Sequence, residues 1–291
     1  MDIIYLDNSA TTKIKTEVLN EMMPYLTTEY GNASSLYSVG RKAKKAIEKA
    51  RKQVAELINC DMHEIYFTGS GSESDNTALK GFAYANKEKG NHIITSKIEH
   101  HAILESCETL ERQGFEVSYI GVDENGVIDI EELQNAIRPN TILISVMTAN
   151  NEIGTIQPIE QIAKIAHDKN IIFHTDAVQA IGNMPIDVQK MDIDMLSLSG
   201  HKINAPKGIG ALYIKKEVQV EKYINGGHQE RNQRAGTENV AGIVGLGKAC
   251  ELANKNMTTH IRYLSKLRDY YLMKLQKELP GKFRVNGCMD N

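Results

Sequence analysis

The sequence predicts an α/β fold: a mostly parallel sheet with helices on both faces, followed by an incomplete α+β part. Three observations carry this. Short runs rich in β-branched and aromatic residues alternate with longer stretches whose apolar residues recur every three or four positions. Thr141 to Met147 is almost continuously apolar, as suits a strand buried on both faces. Glycine and small polar residues separate the segments, as turns require. Such alternation folds through right-handed crossovers into a parallel sheet covered on both sides.

The elements follow in order. Residues 41–59 read as a helix, with Ala43, Ala46, Ile47, Ala50, Val54, Leu57 and Ile58 on one face. Ile65–Thr68 is a strand that runs through Gly69-Ser70-Gly71-Ser72-Glu73 into a helix from Ser74 to Lys87. His92–Ser96 is the next strand, and the helix His100–Arg112 stops at Gly114. Phe115–Ile120 is a strand, and a short helix over 129–137 ends before Pro139. After Thr141–Met147, Pro158 opens a helix to Asp168. Ile171–Asp176, Asp194–Ser197 and Gly210–Ile214 complete the strands. From Gly236 the chain turns helical, with a charge-laced helix over 258–279 and a strand over Phe283–Val285. The expected division is a large domain over 15–257 and a partial small domain from 1–14 and 258–291.

The 291 residues are ample for a sizeable core. With 41% hydrophobic and 24% charged residues, the chain is not disordered, collagenous or membrane-embedded. Lys plus Arg number 34 against 37 Asp plus Glu, so nothing electrostatic points to nucleic acid. The start, Met1 to Asp7, lacks the basic and apolar regions of a signal peptide, and no apolar run approaches ~18 residues. Cys60, Cys107, Cys250 and Cys288 form no Cys-x-x-Cys pair, which suits reduced thiols in a cytoplasmic protein and no metal site.

Several groups can carry chemistry. Ser199-Gly200-His201-Lys202 follows a strand, at the edge where open α/β sheets bind ligands, and a partly desolvated lysine forms Schiff bases with carbonyls. Asp176 ends an apolar strand, where burial calls for a cation such as a pyridinium nitrogen; taken alone it also suits a helix N-cap. Gln179 can donate to a ring oxygen. Thr68 to Ser74 can offer backbone N–H groups and Ser72 to an anion, or simply form a capping box from Ser70 to Glu73. His100 can stack on an aromatic ring or cap a helix, and Asn150 to Gly154 can contact a ligand or make an ordinary turn. Together these are the parts of a pyridoxal-phosphate enzyme.

The sequence also resembles the cysteine desulfurases of the NifS/IscS type, in the class V aminotransferase group of fold type I. The resemblance runs through Tyr5–Thr12, Gly31–Ser35, Phe67 to Asn76, Glu99-His100, Asn150–Gly154, Asp176–Gln179, Ser199–Lys202 and Arg234–Asn239. It implies that Lys202 holds pyridoxal 5′-phosphate covalently, that Asp176 pairs with the pyridinium nitrogen and that Gln179 contacts the ring oxygen. His100 would stack on the ring and move protons. Gly71, Ser72, Ser199 and His201 would hold the phosphate, and Asn151 would sit by the cofactor and the substrate carboxylate. Thr237 would reach the phosphate of a neighbouring subunit, implying a homodimer with shared sites. The implied reaction takes L-cysteine to L-alanine and carries the sulfur as a persulfide to an iron–sulfur scaffold or another acceptor protein, for clusters, thiolated cofactors or tRNA.

One departure stands out. The family's sulfur-accepting cysteine and its substrate-carboxylate arginine would both lie beyond residue 291, and Cys288 is in the wrong context to replace the former. The chain is therefore expected to be truncated in its small domain, building most of a cofactor pocket without completing sulfur transfer. Alternatives on the same scaffold are a selenocysteine lyase, another class V aminotransferase-like enzyme or a non-catalytic scaffold subunit. A Rossmann oxidoreductase lacks its glycine fingerprint here.

Overall fold

Period-two alternation sends neighbouring residues of each strand to opposite faces of one sheet. The computed structural model describes residues 4–289, so expectations for Met1–Ile3 and residues 290–291 lie outside the described residues. Its strands are β1 (Ile65–Thr68), β2 (His92–Ser96), β3 (Glu116–Ile120), β4 (Thr141–Ser145), β5 (Ile172–Asp176), β6 (Met195–Ser199) and β7 (Gly210–Ile214), in the order β1-β7-β6-β5-β4-β2-β3. Pairing is parallel from β3 to β6, whereas β7 runs antiparallel to both β6 and β1. β1, β2, β4, β5 and β6 thus all point their C-terminal ends to one edge.

Helices α1 (Thr16–Thr27), α2 (Ser38–Ile58), α3 (Gly71–Asn76), α4 (Phe82–Ala85), α5 (His101–Glu111), α6 (Ile130–Asn135), α7 (Ile159–His167), α8 (Gln229–Asn232) and α9 (Val240–Glu278) complete the chain. Ile94, Ile144, Phe173 and Leu196 pack beneath α2, α7 and α9, through Ile47, Val54, Ile162 and Leu246. Their strand neighbours Ile93, Leu143 and Met195 pack on the other face against Leu79, Phe82, Ile103 and Leu110. Burying each such side chain contributes about 1.5–3 kcal/mol. The α2–α9 contact is close enough that a Cβ on Gly247 would lie 2.6 Å from Ala50 Cα, so only glycine fits there.

Three expectations need correction. The helix expected from Ser74 begins at Gly71, because Ser70 Oγ accepts from Glu73 N at 3.1 Å and caps it, and a π turn over Thr77–Gly81 joins α3 to α4. The helix expected over 258–279 is the second half of the 39-residue α9, which crosses position 257 unbroken. Phe283–Val285 is not a strand, since among the described residues it pairs with no other segment and a strand exists only by pairing. α1 was not anticipated. It contains Pro24, and of its apolar residues it buries only Val18 and Met22. Among the described residues, no helix is long and apolar enough to cross a membrane.

A surface cluster ties α7 to β6. His167 Nδ1 meets Asp192 at 2.6 Å, His167 Nε2 meets Asp194 at 2.7 Å, and Lys215 reaches both carboxylates. Burial pulls the His167 pKa down, but the hydrogen bonds and charges of Asp194 and Asp192 outweigh it and leave the pKa above its usual 6.5. A raised folded-state pKa stabilises fully below the unfolded value and is lost as pH rises through the folded one. The stability difference between the wild type and His167→Gln, measured by denaturant unfolding, should therefore be largest below about pH 6.5 and shrink on the alkaline side. A difference that is flat or grows with pH would refute this.

Candidate active site

The shared edge of parallel strands opens into a cavity of about 500 Å³. Lys202, His100, Asp176, Gln179, Gly71, Ser72, Asn151, Ser199 and His201 all line it, although they come from five separate strand ends. Thr237 does not. It lies in a smaller cavity with Gly69, Arg234 and Gly236.

At the end of β5, Asp176 is buried, and one carboxylate oxygen accepts from Val178 N at 2.8 Å. Burial raises its pKa, opposed by that hydrogen bond and by the charges of His100 and Lys202. After β6 a single 3-10 turn, Gly200–Lys202, sets Lys202 facing the cavity. Lys202 Nζ donates to the carbonyls of Ser9 and, at 3.2 Å, Ala10. Desolvation lowers its pKa, against the opposing charge of Asp176. A lysine held this way is more often the free, nucleophilic amine. Gln179 Nε2 also donates to Ser9 O, at 2.9 Å.

His100 combines both readings of its sequence position. It caps α5, with Nδ1 accepting from Ala102 N at 3.1 Å, and it walls the cavity. That hydrogen bond keeps Nδ1 unprotonated and leaves Nε2 as the atom able to exchange a proton. His201 Nδ1 meets Thr11 Oγ1 at 3.1 Å, and burial lowers its pKa. Asn150 and Asn151 divide their tasks. Asn150 is buried and shapes the turn, accepting from Glu152 N at 2.9 Å and Ile153 N at 3.1 Å, whereas Asn151 faces the cavity.

Around the Gly69–Glu73 turn, the expected capping box is only half made. Glu73 turns away from the cap to accept from Gly69 N at 2.8 Å and to hold Arg234, whose Nε lies 2.8 Å from Oε1. Gly71 packs so closely that a Cβ would come within 2.8 Å of Val178 Cγ2 and 3.2 Å of Ser199 Cβ. Only glycine lets the start of α3 approach β6 and leave Ser72 and Ser199 on one wall of the cavity.

Sequence reasoning missed three participants. Asp75, on the second turn of α3, is buried and lines the cavity. The signal was its place three and four residues before Ala78 and Leu79, on the apolar side of a helix. Glu99 is also buried, held by Ser96 and Met147 N, and desolvation pushes its pKa up to about 8. The N-terminal segment lines the cavity through Asp7, Ser9 and Ala10 and is held by the 201–204 turn, with Thr12 N donating to His201 O at 2.9 Å.

These residues fit pyridoxal phosphate. Asp75, His100 and Asp176 each place a polar atom within 4.8 Å of the others, and Asp75 Oδ1 has no hydrogen-bond partner among the described residues. Two buried carboxyls, one with an oxygen left without a hydrogen bond, match a protonated ring nitrogen. Lys202 matches an aldehyde, and Ser72, Ser199 and the close-packed Gly71 suit an anion at the other end.

Comparison with known proteins agrees. Residues 4–289 match the family described as aminotransferase class-V. The chain is 57% identical over 284 residues to the cysteine desulfurase IscS of Methanosarcina thermophila, covering 98% of this chain and 70% of that protein. Among solved structures, a NifS-like protein superposes with a TM-score of 0.92 at 41% identity, over 94% of this chain and 76% of its own. A structure titled SspA in complex with cysteine superposes with a TM-score of 0.83 at 44% identity, over 86% and 72%. Fold, cavity and likeness converge: the chain belongs to the class V aminotransferase family, among its cysteine desulfurases.

Proposed function

We propose that this chain binds pyridoxal 5′-phosphate and acts on L-cysteine as a desulfurase. The observation that carries this is the single cavity that gathers Lys202, Asp176, Gln179 and His100 beside Gly71, Ser72 and Ser199. Lys202 would hold the aldehyde carbon, Asp176 the ring nitrogen, Gln179 the ring oxygen, and the Gly71–Ser72 turn with Ser199 and His201 the phosphate. When bound, the cofactor supplies an electron-accepting ring that stabilises negative charge at the substrate Cα.

The chain's own groups do the rest. Lys202 Nζ, with its lowered pKa, takes the Cα proton. His100 Nε2 exchanges a proton with the departing or arriving group. Asn151 orients the substrate carboxylate. In the net reaction, an acceptor thiol and L-cysteine become a persulfide and L-alanine: the Cβ–S bond breaks, an S–S bond forms and Cβ gains a proton. Cys60, Cys107 and Cys250 do not suit the acceptor role, because burial raises all three thiol pKa values, that of Cys250 to about 12.

Further parts of the reading are a homodimer, in which Thr237 serves the partner's phosphate, a cytoplasmic location, and delivery of sulfur to an iron–sulfur scaffold or another acceptor protein. Thr237's place outside the cavity supports the first. A division at about residue 257 is supported by burial that ends along α9, from a fully buried Cys250 to an exposed Tyr263 and Tyr271.

The test is the visible spectrum of the chain mixed with pyridoxal phosphate. A new band should form, and L-cysteine should shift it. No band would overturn the reading. A band that answers to a sulfur-free amino donor and not to L-cysteine would move it to another class V enzyme.

A further inference from the structure

We propose that Asp75 is a positioning residue that holds one proton beside Asp176, so that two buried carboxyls present a single negative charge to the ring nitrogen. This rests on Asp176 being the ring-nitrogen partner.

Asp75 is 1% exposed and Asp176 5%. Asp75 Oδ1 has no hydrogen-bond partner among the described residues, yet the residue borders the cavity. A carboxylate buried without a partner is costly, and two adjacent carboxyls do not both ionise readily.

No cation relieves Asp75. His174 Nε2 lies 3.9 Å away but is committed to Ser197 Oγ at 3.0 Å, while its Nδ1 meets Ser145 Oγ at 2.8 Å. Desolvation drives the His174 pKa down to about 3, so the ring is neutral. Glu99 accepts from Ser96 Oγ and Met147 N, and burial raises its pKa to about 8. On α3, Glu73 is taken by Arg234. His100 places a ring nitrogen within 4.8 Å of both carboxyls but spends its Nδ1 on Ala102 N, and Lys202 donates to the carbonyls of Ser9 and Ala10. A proton is what remains to neutralise Asp75: burial, Asp176 and Glu99 raise its pKa, against an opposing hydrogen bond from Ser197.

The placement has a use. The first turn of α3 carries Gly71 and Ser72, and its second turn carries Asp75. One short helix therefore spans the distance between the phosphate end of the cavity and the ring-nitrogen end. A neutral Asp75 supports Asp176 without adding a second charge.

Infrared spectroscopy of the cofactor-free full chain near neutral pH tests this. It should show the carbonyl stretch of protonated carboxylic acids, one shifted by 13C-aspartate labelling and one, from Glu99, left in place. The labelled band should vanish in Asp75→Asn and survive in Asp176→Asn. Asparagine copies the neutral acid, so Asp75→Asn should bind pyridoxal phosphate within about twofold of the wild type. The proposal is overturned if the wild type shows no aspartic acid band, if the band leaves with Asp176→Asn and stays in Asp75→Asn, or if Asp75→Asn binds the cofactor more than about tenfold more weakly. The labelling arm uses wild-type protein, so it stands even if a variant misfolds. It also needs no cofactor, so failure of wild-type cofactor binding with the aspartic acid band present would count against the ring-nitrogen reading alone.

Discussion

Lys202→Ala should abolish covalent fixation of pyridoxal phosphate to the chain by borohydride, while leaving reversible binding. Lys202 is the lysine of the 500 Å³ cavity, and no other lysine lines it. Its neighbours keep their shape without its side chain, because the turn is held by backbone hydrogen bonds from Gly200 N to Ile209 O and from Ile203 N to Gly200 O, both 3.0 Å. On the proposed reading, Asp176, Gln179 and the Gly71–Ser72 turn would remain to hold ring and phosphate. The loss of the base at the substrate Cα should slow proton exchange there by about 10²–10⁴-fold. Intact-protein mass after borohydride and deuterium exchange at the Cα of a bound amino acid would measure the two effects. A covalent adduct that survives in Lys202→Ala would show that another lysine holds the cofactor.

The largest effect on stability should come from Glu230→Gln. Arg51 and Glu230 form a two-bond ion pair at 2.7 and 2.8 Å, with side chains only 3% and 4% exposed. Phe67 N donates to the same carboxylate at 2.9 Å, Arg51 Nη1 also donates to Ile65 O at 2.7 Å, and the guanidinium sits 4.7 Å from the Phe67 ring centre. The pair clamps α8 to α2 and β1. It also holds three successive left-handed residues, Glu230, Arg231 and Asn232, at φ 45°, 52° and 70°. Such a backbone persists in non-glycine residues only when its surroundings enforce it. Glutamine would leave the buried Arg51 guanidinium with only the partly exposed Glu48, 3.3 Å from its Nε, as a charged partner, at a cost of about 3–5 kcal/mol. By contrast, Glu56→Gln, which breaks an exposed pair with Lys52, should cost less than about 1 kcal/mol. Denaturant unfolding of both variants makes the comparison, and equal small losses would show that the clamp is dispensable. The chain from α8 runs on to Arg234 and Thr237, so the same change should loosen the small cavity that holds Thr237.

Much of the fold is legible locally. Ile65–Thr68, His92–Ser96 and Gly210–Ile214 coincide with β1, β2 and β7, because each is a compact run of strand-forming residues bounded by turn chemistry. Helix ends are less legible. Ser70 starts α3 earlier than its apolar period suggests, since a cap sets the first turn before any buried face begins. The direction of β7 is legible only from its connection: the link from β6 is too short for the dozen or more residues a parallel crossover needs, so β7 returns antiparallel.

By itself the sequence determined the seven strands of the sheet, most of the helices and which residues stand at strand ends, because turn chemistry, capping and periodicity act over a few positions. Lys202, Asp176 and His100 were recognisable on those grounds and through the motifs around them. The tertiary structure decided what those residues experience. Sheet order brings β2, β4, β5 and β6 side by side, so Asp75, Glu99 and Asp176, far apart in the chain, become three buried carboxyls behind one cavity. Desolvation, which depends on everything packed around a group and not on its neighbours in sequence, lowers the Lys202 pKa and raises those of the carboxyls. The same packing sets Thr237 apart from the cavity and lays the Ser9–Ala10 carbonyls over Lys202, arrangements that no local pattern encodes.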